Sequence, residues 1–171
     1  MKLLSDWGFS LEGLQTGNKG EYWFFLQALL IIVFPFLPVY RPTWLEINSS
    51  NLLYLYWSVS AFLGLIALIF ISKGLIDLGK QLTPLPYPKE NGELVQTGMY
   101  SFVRHPLYSG LIFSTLSWAI FQMSLSHLFA VLIIFIVLNA KARKEETWLS
   151  DKFPEYSDYQ QKVKKLIPWL Y

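Results

Sequence analysis

Three runs without a formally charged side chain constrain the fold of this chain more than any other feature. They cover residues 22–40, 52–72 and 106–140, which are 19, 21 and 35 residues long. A helix of about 20 apolar residues crosses the hydrocarbon core of a bilayer. The first two runs therefore predict one membrane span each, and the third is long enough for two.

The composition agrees with a membrane protein. Of the 171 residues, 53% are hydrophobic and only 15% are charged, which is too apolar for an ordinary soluble domain. No repeat or linker divides the chain, so we predict one integral membrane domain over residues 1–171. Cysteine is absent, which excludes disulfides, thiolate metal sites and cysteine nucleophiles.

The segments between the runs complete the predicted layout. Residues 1–21 are predicted to form a short interfacial helix, with disorder as the alternative. Pro35 and Pro38 predict a kinked or frayed end of the first span, and residues 41–51 a turn. Residues 73–105 form a long polar connection that does not span the membrane. The polar patch within 106–140 marks the turn of an antiparallel hairpin and comprises Gln122, Ser124, Ser126 and His127.

A last amphipathic helix is predicted to begin at Pro154 and to lie on the membrane surface or over the bundle. Its apolar stripe consists of Phe153, Tyr156, Tyr159, Val163 and Leu166, opposite Lys162, Lys164 and Lys165. The predicted fold class is therefore an all-α membrane protein with about four transmembrane helices, the last two a helical hairpin, and a C-terminal amphipathic helical segment.

Basic residues predict the orientation. With both termini on one side of the membrane, 13 of the 14 Lys and Arg residues lie on that side and only Arg41 lies opposite. Cytoplasmic loops carry such an excess of positive charge. We therefore predict a multi-pass protein with both termini and the active site in the cytoplasm.

The hairpin also predicts a site at its cytoplasmic mouth. A turn near Leu125 brings His105, 20 residues before it, level with Glu145, 20 residues after it. Lys141 and Glu145 are one helical turn apart and share a face. Arg104, His105, Tyr108, Lys141 and Glu145 are thus predicted to line one cavity, and ionisable groups at such a boundary are functional candidates.

The segment around His105 suits an anionic or zwitterionic ligand. Pro106 keeps His105 out of the helical region and is well placed as the first residue of a helix. Arg104 and the phenols of Tyr100 and Tyr108 then lie beside free backbone N–H groups at the positive end of the helix dipole.

Simpler interpretations compete with a functional site. The charged residues after 140 also fit a solvated end of a span, with a weak exposed ion pair. Arg104 fits a contact with lipid phosphate, His105 a helix cap and His127 an interfacial residue. No metal site is predicted, because the two histidines lie on opposite sides of the membrane. No nucleic-acid-binding pattern is present.

At these residues the chain resembles the isoprenylcysteine carboxyl methyltransferase and phospholipid methyltransferase superfamily of integral membrane methyltransferases. The resemblance covers about residues 92–168, which is the predicted cofactor-binding half. It rests on Leu94-Val95, Gly98-Met99-Tyr100, Arg104-His105-Pro106-Leu107-Tyr108-Ser109-Gly110, Glu145-Glu146, Leu149, Phe153, Tyr156, Tyr159 and Ile167-Pro168.

The resemblance implies that S-adenosylmethionine is the cofactor and that the acceptor is a lipid or another lipophilic small molecule in the bilayer. It implies a cofactor-binding set of Glu93, Leu94, Val95, Tyr100, His105, Pro106, Leu107, Tyr108 and Glu145. Arg104, Lys141 and Glu145 are the expected catalytic residues. Carboxyl-methylating members carry an arginine at the position of Lys141, and lysine keeps its charge without the two-pronged hydrogen bonding.

Carboxyl methylation of an isoprenylcysteine-like acceptor is the favoured reaction, and a carboxylate would need no general base, although the residues alone do not choose between carboxylate and amine chemistry. Amine methylation of a phospholipid is the alternative, with Glu145 or Glu146 accepting the proton. Glu146 lies about 100° further round the helix than Glu145. If Glu146 faces solvent, its replacement should weaken cofactor binding less than replacement of Glu145. A nicotinamide-dependent enzyme similar to sterol reductases and a non-enzymatic scaffold complete the alternatives.

Overall fold

The computed structural model describes residues 9, 11–43, 50–89, 91–168 and 170–171, and all regular structure among them is helical. The α-helices are α1 (Leu11–Thr16), α2 (Glu21–Val33), α3 (Ser50–Leu78), α4 (Pro106–Phe121), α5 (Leu125–Lys152) and α6 (Tyr156–Lys162). Predictions that fall on residues 1–8, 10 and 44–49 lie outside the described residues.

Two helical segments are long and apolar enough to cross a membrane, namely Ser50–Gln81 and Leu125–Lys152. The apolar segments Glu21–Phe36 and Pro106–Phe121 are shorter. Large apolar side chains face outward along α3, including Phe62, Leu68 and Ile76, each at least 63% exposed. An apolar outer surface is what a helix presents to lipid, so the all-helical membrane architecture is confirmed while four complete spans remain a prediction.

α3 and α4 pack closely because small residues line their contact. A Cβ atom on Gly110 would lie 2.5 Å from the Ile71 side chain, so only glycine permits this approach. Ser60 and Ser117 also exchange hydrogen bonds of 2.8 Å from each hydroxyl to the other's carbonyl oxygen. These contacts hold the two helices side by side.

The predicted hairpin of α4 and α5 is confirmed. Met123 takes a positive φ of 48° in the turn, and the Ser124 hydroxyl caps α5. The turn contacts the segment after α2, since the Leu125 amide donates to the Tyr40 carbonyl at 2.9 Å. The hydrophobic core lies between α2, α4 and α5 and contains Phe34, Ile112, Ala119, Val131, Ile134, Leu138 and Leu166.

Two predicted boundaries were wrong. α3 continues past Ser72 to Leu78, because Gly74 lets this part of the helix pack against Pro106 and Leu107. The last helix begins at Tyr156 and ends at Lys162, so the chain after it is extended. That extension pairs with the chain before α4, where the Arg104 and His105 amides donate to the Lys164 and Lys165 carbonyls at 2.8 and 3.1 Å.

Candidate active site

A large cavity lies where α2, α4 and α5 meet the proline-rich connection and the C-terminal segment. It encloses about 1120 Å³, open solvent at its mouth included. Phe24 and Gln27 of α2 line one side, while Leu85 and Pro86 are buried in the connection that covers it. This proline-rich connection, part of residues 73–105, therefore forms a wall of the cavity.

Tyr100 lies on a short 3-10 turn that α3 holds in place. The Met99 amide donates to the Asp77 carboxylate at 2.8 Å, and Gly98 before it has a φ of 61°. A Cβ atom on Gly98 would lie 2.2 Å from that carboxylate, so glycine is needed here. The Tyr159 hydroxyl donates to the Tyr100 carbonyl at 2.5 Å. Burial raises the pKa of both phenols well above the ordinary value, so both remain protonated hydrogen-bond donors.

Tyr108, Glu145 and His105 form one cluster on the cavity wall. The Tyr108 hydroxyl donates to Glu145 Oε2 at 2.7 Å, and His105 Nδ1 lies 3.7 Å from the same oxygen. The rings of His105 and Tyr108 stack with centroids 5.3 Å apart. The sequence prediction that the hairpin brings His105 level with Glu145 is confirmed.

Glu146 is buried. Its replacement was predicted to have a small effect if it faced solvent, and that condition is not met. Its Oε1 accepts hydrogen bonds from Arg104 Nε at 2.8 Å and lies 3.2 Å from His105 Nε2. Its Oε2 lies 3.4 Å from Lys165 Nζ. The helix does turn by about 100° between Glu145 and Glu146. The returning C-terminal segment covers the face on which Glu146 lies.

Arg104 lies in the cavity lining, as predicted, and its guanidinium is held by protein acceptors. Besides Glu146, its guanidinium donates to the carbonyl oxygens of Gln160 and Val163. Four of its five N–H groups are thus directed at protein acceptors, counting the 2.7 Å ion pair of Nη2 with Glu146. Arg104 lines the cavity, and its hydrogen bonds hold the C-terminal segment in place.

Lys141 is buried, with 2% of its surface exposed, and has no carboxylate partner at ion-pair distance in the part of the chain that the structure describes. Its Nζ donates to Gln27 Oε1 at 2.7 Å and lies 5.2 Å from the centroid of the Tyr108 ring. The Pro84 carbonyl is 3.4 Å away. Buried charges usually have an opposite charge beside them, so this site is prepared for an anion.

Tyr156 contributes a second group without a partner. It lines the cavity, is 1% exposed, and its hydroxyl makes no hydrogen bond with the described residues. Burial raises its pKa well above the ordinary value, with Glu146 adding to the effect, so the hydroxyl keeps its proton. A buried unpaired hydroxyl costs free energy, which a ligand's acceptor atom would recover.

Most residues predicted for the site do line this cavity, namely Glu93, Leu94, Val95, Tyr100, Arg104, His105, Leu107, Tyr108, Lys141 and Glu145. Pro106 does not. As the first residue of α4 it directs its ring towards Gly74 of α3 and shapes the helix start instead. His127 does not line the cavity and is fully buried beside the hairpin turn, and its position at the membrane interface stays a prediction. The described residues contain no cluster suited to a metal ion.

Gln27 was missed by the sequence analysis, although a signal existed. It is the one side-chain amide within the uncharged run 22–40. A strongly polar side chain inside an apolar span faces the bundle interior in most membrane proteins. Tyr156 was assigned to an apolar stripe, and its hydroxyl was not considered.

The chain combines a helical membrane architecture with a polar cavity beside a histidine and two glutamates. These features define the class of proteins that the chain resembles. Residues 56–156 match the phospholipid methyltransferase family, and the chain belongs to that family. The resemblance stated from the sequence is thereby confirmed. The matched region contains α4 and α5 but neither α2 nor Gln27.

Curated relatives match parts of the chain. Methanethiol S-methyltransferase 1 from Bradyrhizobium diazoefficiens is 38% identical over 93 residues, which are 54% of this chain and 30% of that protein. The cobalt-zinc-cadmium resistance protein CzcN from Cupriavidus metallidurans is 30% identical over 83 residues, which are 48% of this chain and 38% of that protein. The matched segments span less than half the length of either relative.

Proposed function

We propose that this protein is an S-adenosylmethionine-dependent methyltransferase that acts on a lipophilic acceptor carrying a carboxylate, such as an isoprenylcysteine-like molecule. The observation that carries the proposal is the buried ammonium of Lys141, which has no carboxylate at ion-pair distance among the described residues and lies one helical turn from the Tyr108–Glu145 pair. Family membership supports methyl transfer as the reaction class.

The lining of the cavity fits the cofactor. Leu94 and Val95 offer an apolar surface, and Tyr100 and Tyr108 offer aromatic rings beside which a positively charged sulfur is stabilised. Glu145 uses one oxygen for Tyr108, and its other oxygen has no hydrogen bond within the described residues, so it is available to hydroxyl or amino groups. The Tyr156 hydroxyl supplies a donor. Glu93, His105 and Leu107 complete the proposed cofactor-binding set.

The mechanism follows from charge. When bound by the proposed cofactor-binding set, S-adenosylmethionine would supply an electrophilic methyl group on a positively charged sulfur, and the acceptor's carboxylate oxygen would take that methyl group while the sulfur keeps the bonding electrons. Lys141 holds the carboxylate in line for this displacement. Leu85, Pro86 and Phe24 give the cavity apolar walls, and an apolar environment favours a step in which opposite charges cancel. No side chain has to remove a proton from the acceptor.

A thiol acceptor is the second candidate, because a relative 38% identical over 93 residues is a methanethiol S-methyltransferase. A thiolate is also an anion and would also be attracted by Lys141. A phospholipid amine fits less well, since its protonated form would meet the uncompensated ammonium of Lys141 at short range. The family match favours methyl transfer over the reductase and scaffold alternatives.

The test is methyl transfer by purified protein in lipid nanodiscs with labelled S-adenosylmethionine and three acceptors, a prenylated N-acetylcysteine, a long-chain thiol and phosphatidylethanolamine. We expect the prenylated carboxylate to be labelled most efficiently. Mild base would release the label as methanol from an ester, but not from a thioether or an amine. Label that resists base in every product would refute carboxyl methylation.

We also propose that both termini and the cavity mouth face the cytoplasm, as the distribution of basic residues predicts. The chain has no cysteine, so single-cysteine variants report accessibility directly. Exposed Asn91 lies in the proline-rich connection, and exposed Tyr40 lies at the far end of the bundle. Asn91→Cys should be labelled from the cytoplasmic side only and Tyr40→Cys from the opposite side only. The reverse pattern would refute this orientation.

A further inference from the structure

Gln27 of α2 lies at the point in the cavity where the buried ammonium needs a partner. Its Oε1 accepts a hydrogen bond from Lys141 Nζ at 2.7 Å, and both residues line the cavity. Lysine has only donors, so the amide must turn its oxygen towards Lys141 and its NH₂ group away from it. This contact fixes the orientation of the amide.

The remaining hydrogen-bonding capacity of the pair consists of donors. In the described residues the Gln27 NH₂ group has no hydrogen-bond partner, while the Lys141 ammonium has one short hydrogen bond and a long contact to Pro84. The two contacting side chains therefore leave an amide N–H and an ammonium N–H as donors for a ligand in the cavity. One of these donors belongs to a cationic side chain.

Two adjacent donors match the two oxygens of a carboxylate. An arginine supplies such a pair alone, because its planar guanidinium hydrogen-bonds both oxygens. A lysine acts as a point charge, and this chain has lysine at position 141. We propose that Gln27 and Lys141 together form a composite fork for the acceptor's carboxylate, in which Gln27 supplies the second donor that lysine lacks.

This inference rests on the proposed function and assigns it a specificity-determining residue outside the region that matches the family, which begins at residue 56. The first apolar helix thereby contributes to acceptor choice. A thiolate has one acceptor atom, so it needs Lys141 alone. Gln27 should accordingly distinguish carboxylate from thiolate acceptors.

Binding tests the inference without requiring turnover. The affinity of the protein in nanodiscs is measured for a prenylated N-acetylcysteine, for its carboxamide and for a prenyl thiol. Gln27→Leu should weaken carboxylate binding by about tenfold, as expected for a hydrogen bond to a charged group. Binding of the carboxamide and the thiol should change less than about twofold. Equal weakening for all three ligands would overturn the inference.

A double-mutant cycle sharpens the test, because arginine at position 141 would supply both donors. In the Lys141→Arg background, Gln27→Leu should cost less than about a third of its effect in the parent protein. An undiminished effect would overturn the fork.

Gln27→Glu provides the control for folding. It keeps the shape and the contact with Lys141 but adds a negative charge, so it should abolish carboxylate preference without lowering the melting temperature or the S-adenosylmethionine affinity. Retained carboxylate preference would count against the inference. Failure of the proposed function is distinguishable, because it would show as absent methyl transfer to every acceptor despite an intact binding preference.

Discussion

The hairpin of α4 and α5 has a near end, where α4 begins and α5 ends, and a far end, at the turn between the two helices. Each end buries one histidine, but among the described residues only the near end forms a cavity lined by ionisable groups. His105 is 6% exposed and lies against both Glu145 and Glu146. His127 is fully buried, with Nδ1 2.8 Å from the Ser124 hydroxyl and its ring against Phe34. Burial of a polar side chain is therefore common to both ends. The two ends differ in how many separate elements place charged side chains beside the buried histidine.

The near end collects side chains from distant parts of the chain. Gln27, the proline-rich connection, Glu145 and the C-terminal segment all meet around His105. At the far end, backbone groups close the bundle, as in the 2.8 Å hydrogen bond from Arg41 Nε to the Gln122 carbonyl. A closed end of this kind stabilises the hairpin. Each end keeps a buried polar side-chain atom without a partner among the described residues, but Tyr156 of the near end lines the cavity and His127 of the far end does not, so the near end is the one prepared for a ligand.

The largest effect is expected at the buried ion pair of the near end. Glu146→Gln removes the charge that balances Arg104, so the free energy of unfolding should fall by about 3 to 5 kcal/mol. Thermal unfolding in detergent measures this change. Glu155→Gln, at an exposed position, is the matched control and should be nearly silent. Equal, small changes for both variants would remove the distinction between the two ends.

Lys141→Met should have the next largest effect, on catalysis. Methionine keeps most of the volume of lysine but cannot attract a carboxylate, so kcat/KM should fall by roughly 10- to 150-fold, or about 1.5 to 3 kcal/mol. The methyl-transfer assay with the prenylated carboxylate measures it. Lys144→Met, an exposed residue of the same helix, is the control and should retain activity. Similar losses for both variants would show that general helix charge matters, rather than this ammonium.

A smaller effect is expected at Tyr156, whose buried hydroxyl lacks a partner. If that hydroxyl donates to the cofactor, Tyr156→Phe should weaken S-adenosylmethionine binding by about 1 kcal/mol. The variant should also be at least as stable as the parent without ligand, because it removes an unsatisfied group. Weaker stability with unchanged cofactor affinity would assign the hydroxyl a structural role.

The smallest effect is expected at the far end. His127→Leu removes a hydrogen bond to Ser124 but also an unpaired buried nitrogen, so the two changes offset each other. Stability should change by less than about 1 kcal/mol and methyl transfer by less than about twofold. Loss of activity in a folded His127→Leu variant would mean that the far end participates in function.

Sequence reasoning predicted the parts of the fold that depend on local pattern. The hairpin, the helix start at Pro106 and the meeting of His105 with Glu145 all follow from uncharged length and helix periodicity. The end of α3 was misplaced because Lys73 interrupts the apolar run, although Gly74 beyond it packs against α4. Charge marks where a helix leaves lipid, and it does not mark where the helix ends.

Contacts between distant segments escaped the sequence analysis. Glu146 was assigned to a face away from Glu145, but its neighbours depend on how residues 160–165 fold back. The partner of Lys141 is 114 residues away along the chain. No local pattern encodes such a pair, and only the packing of α2 against α5 reveals it.

We propose that the near-end cavity binds S-adenosylmethionine through Glu145. Calorimetry on the purified protein in nanodiscs tests it directly, with the reduced nicotinamide cofactor as the competing ligand. We predict that S-adenosylmethionine binds, that the nicotinamide cofactor does not, and that Glu145→Gln weakens binding by about 1 to 3 kcal/mol. Binding of the nicotinamide cofactor alone, or an unchanged affinity in Glu145→Gln, would contradict the account.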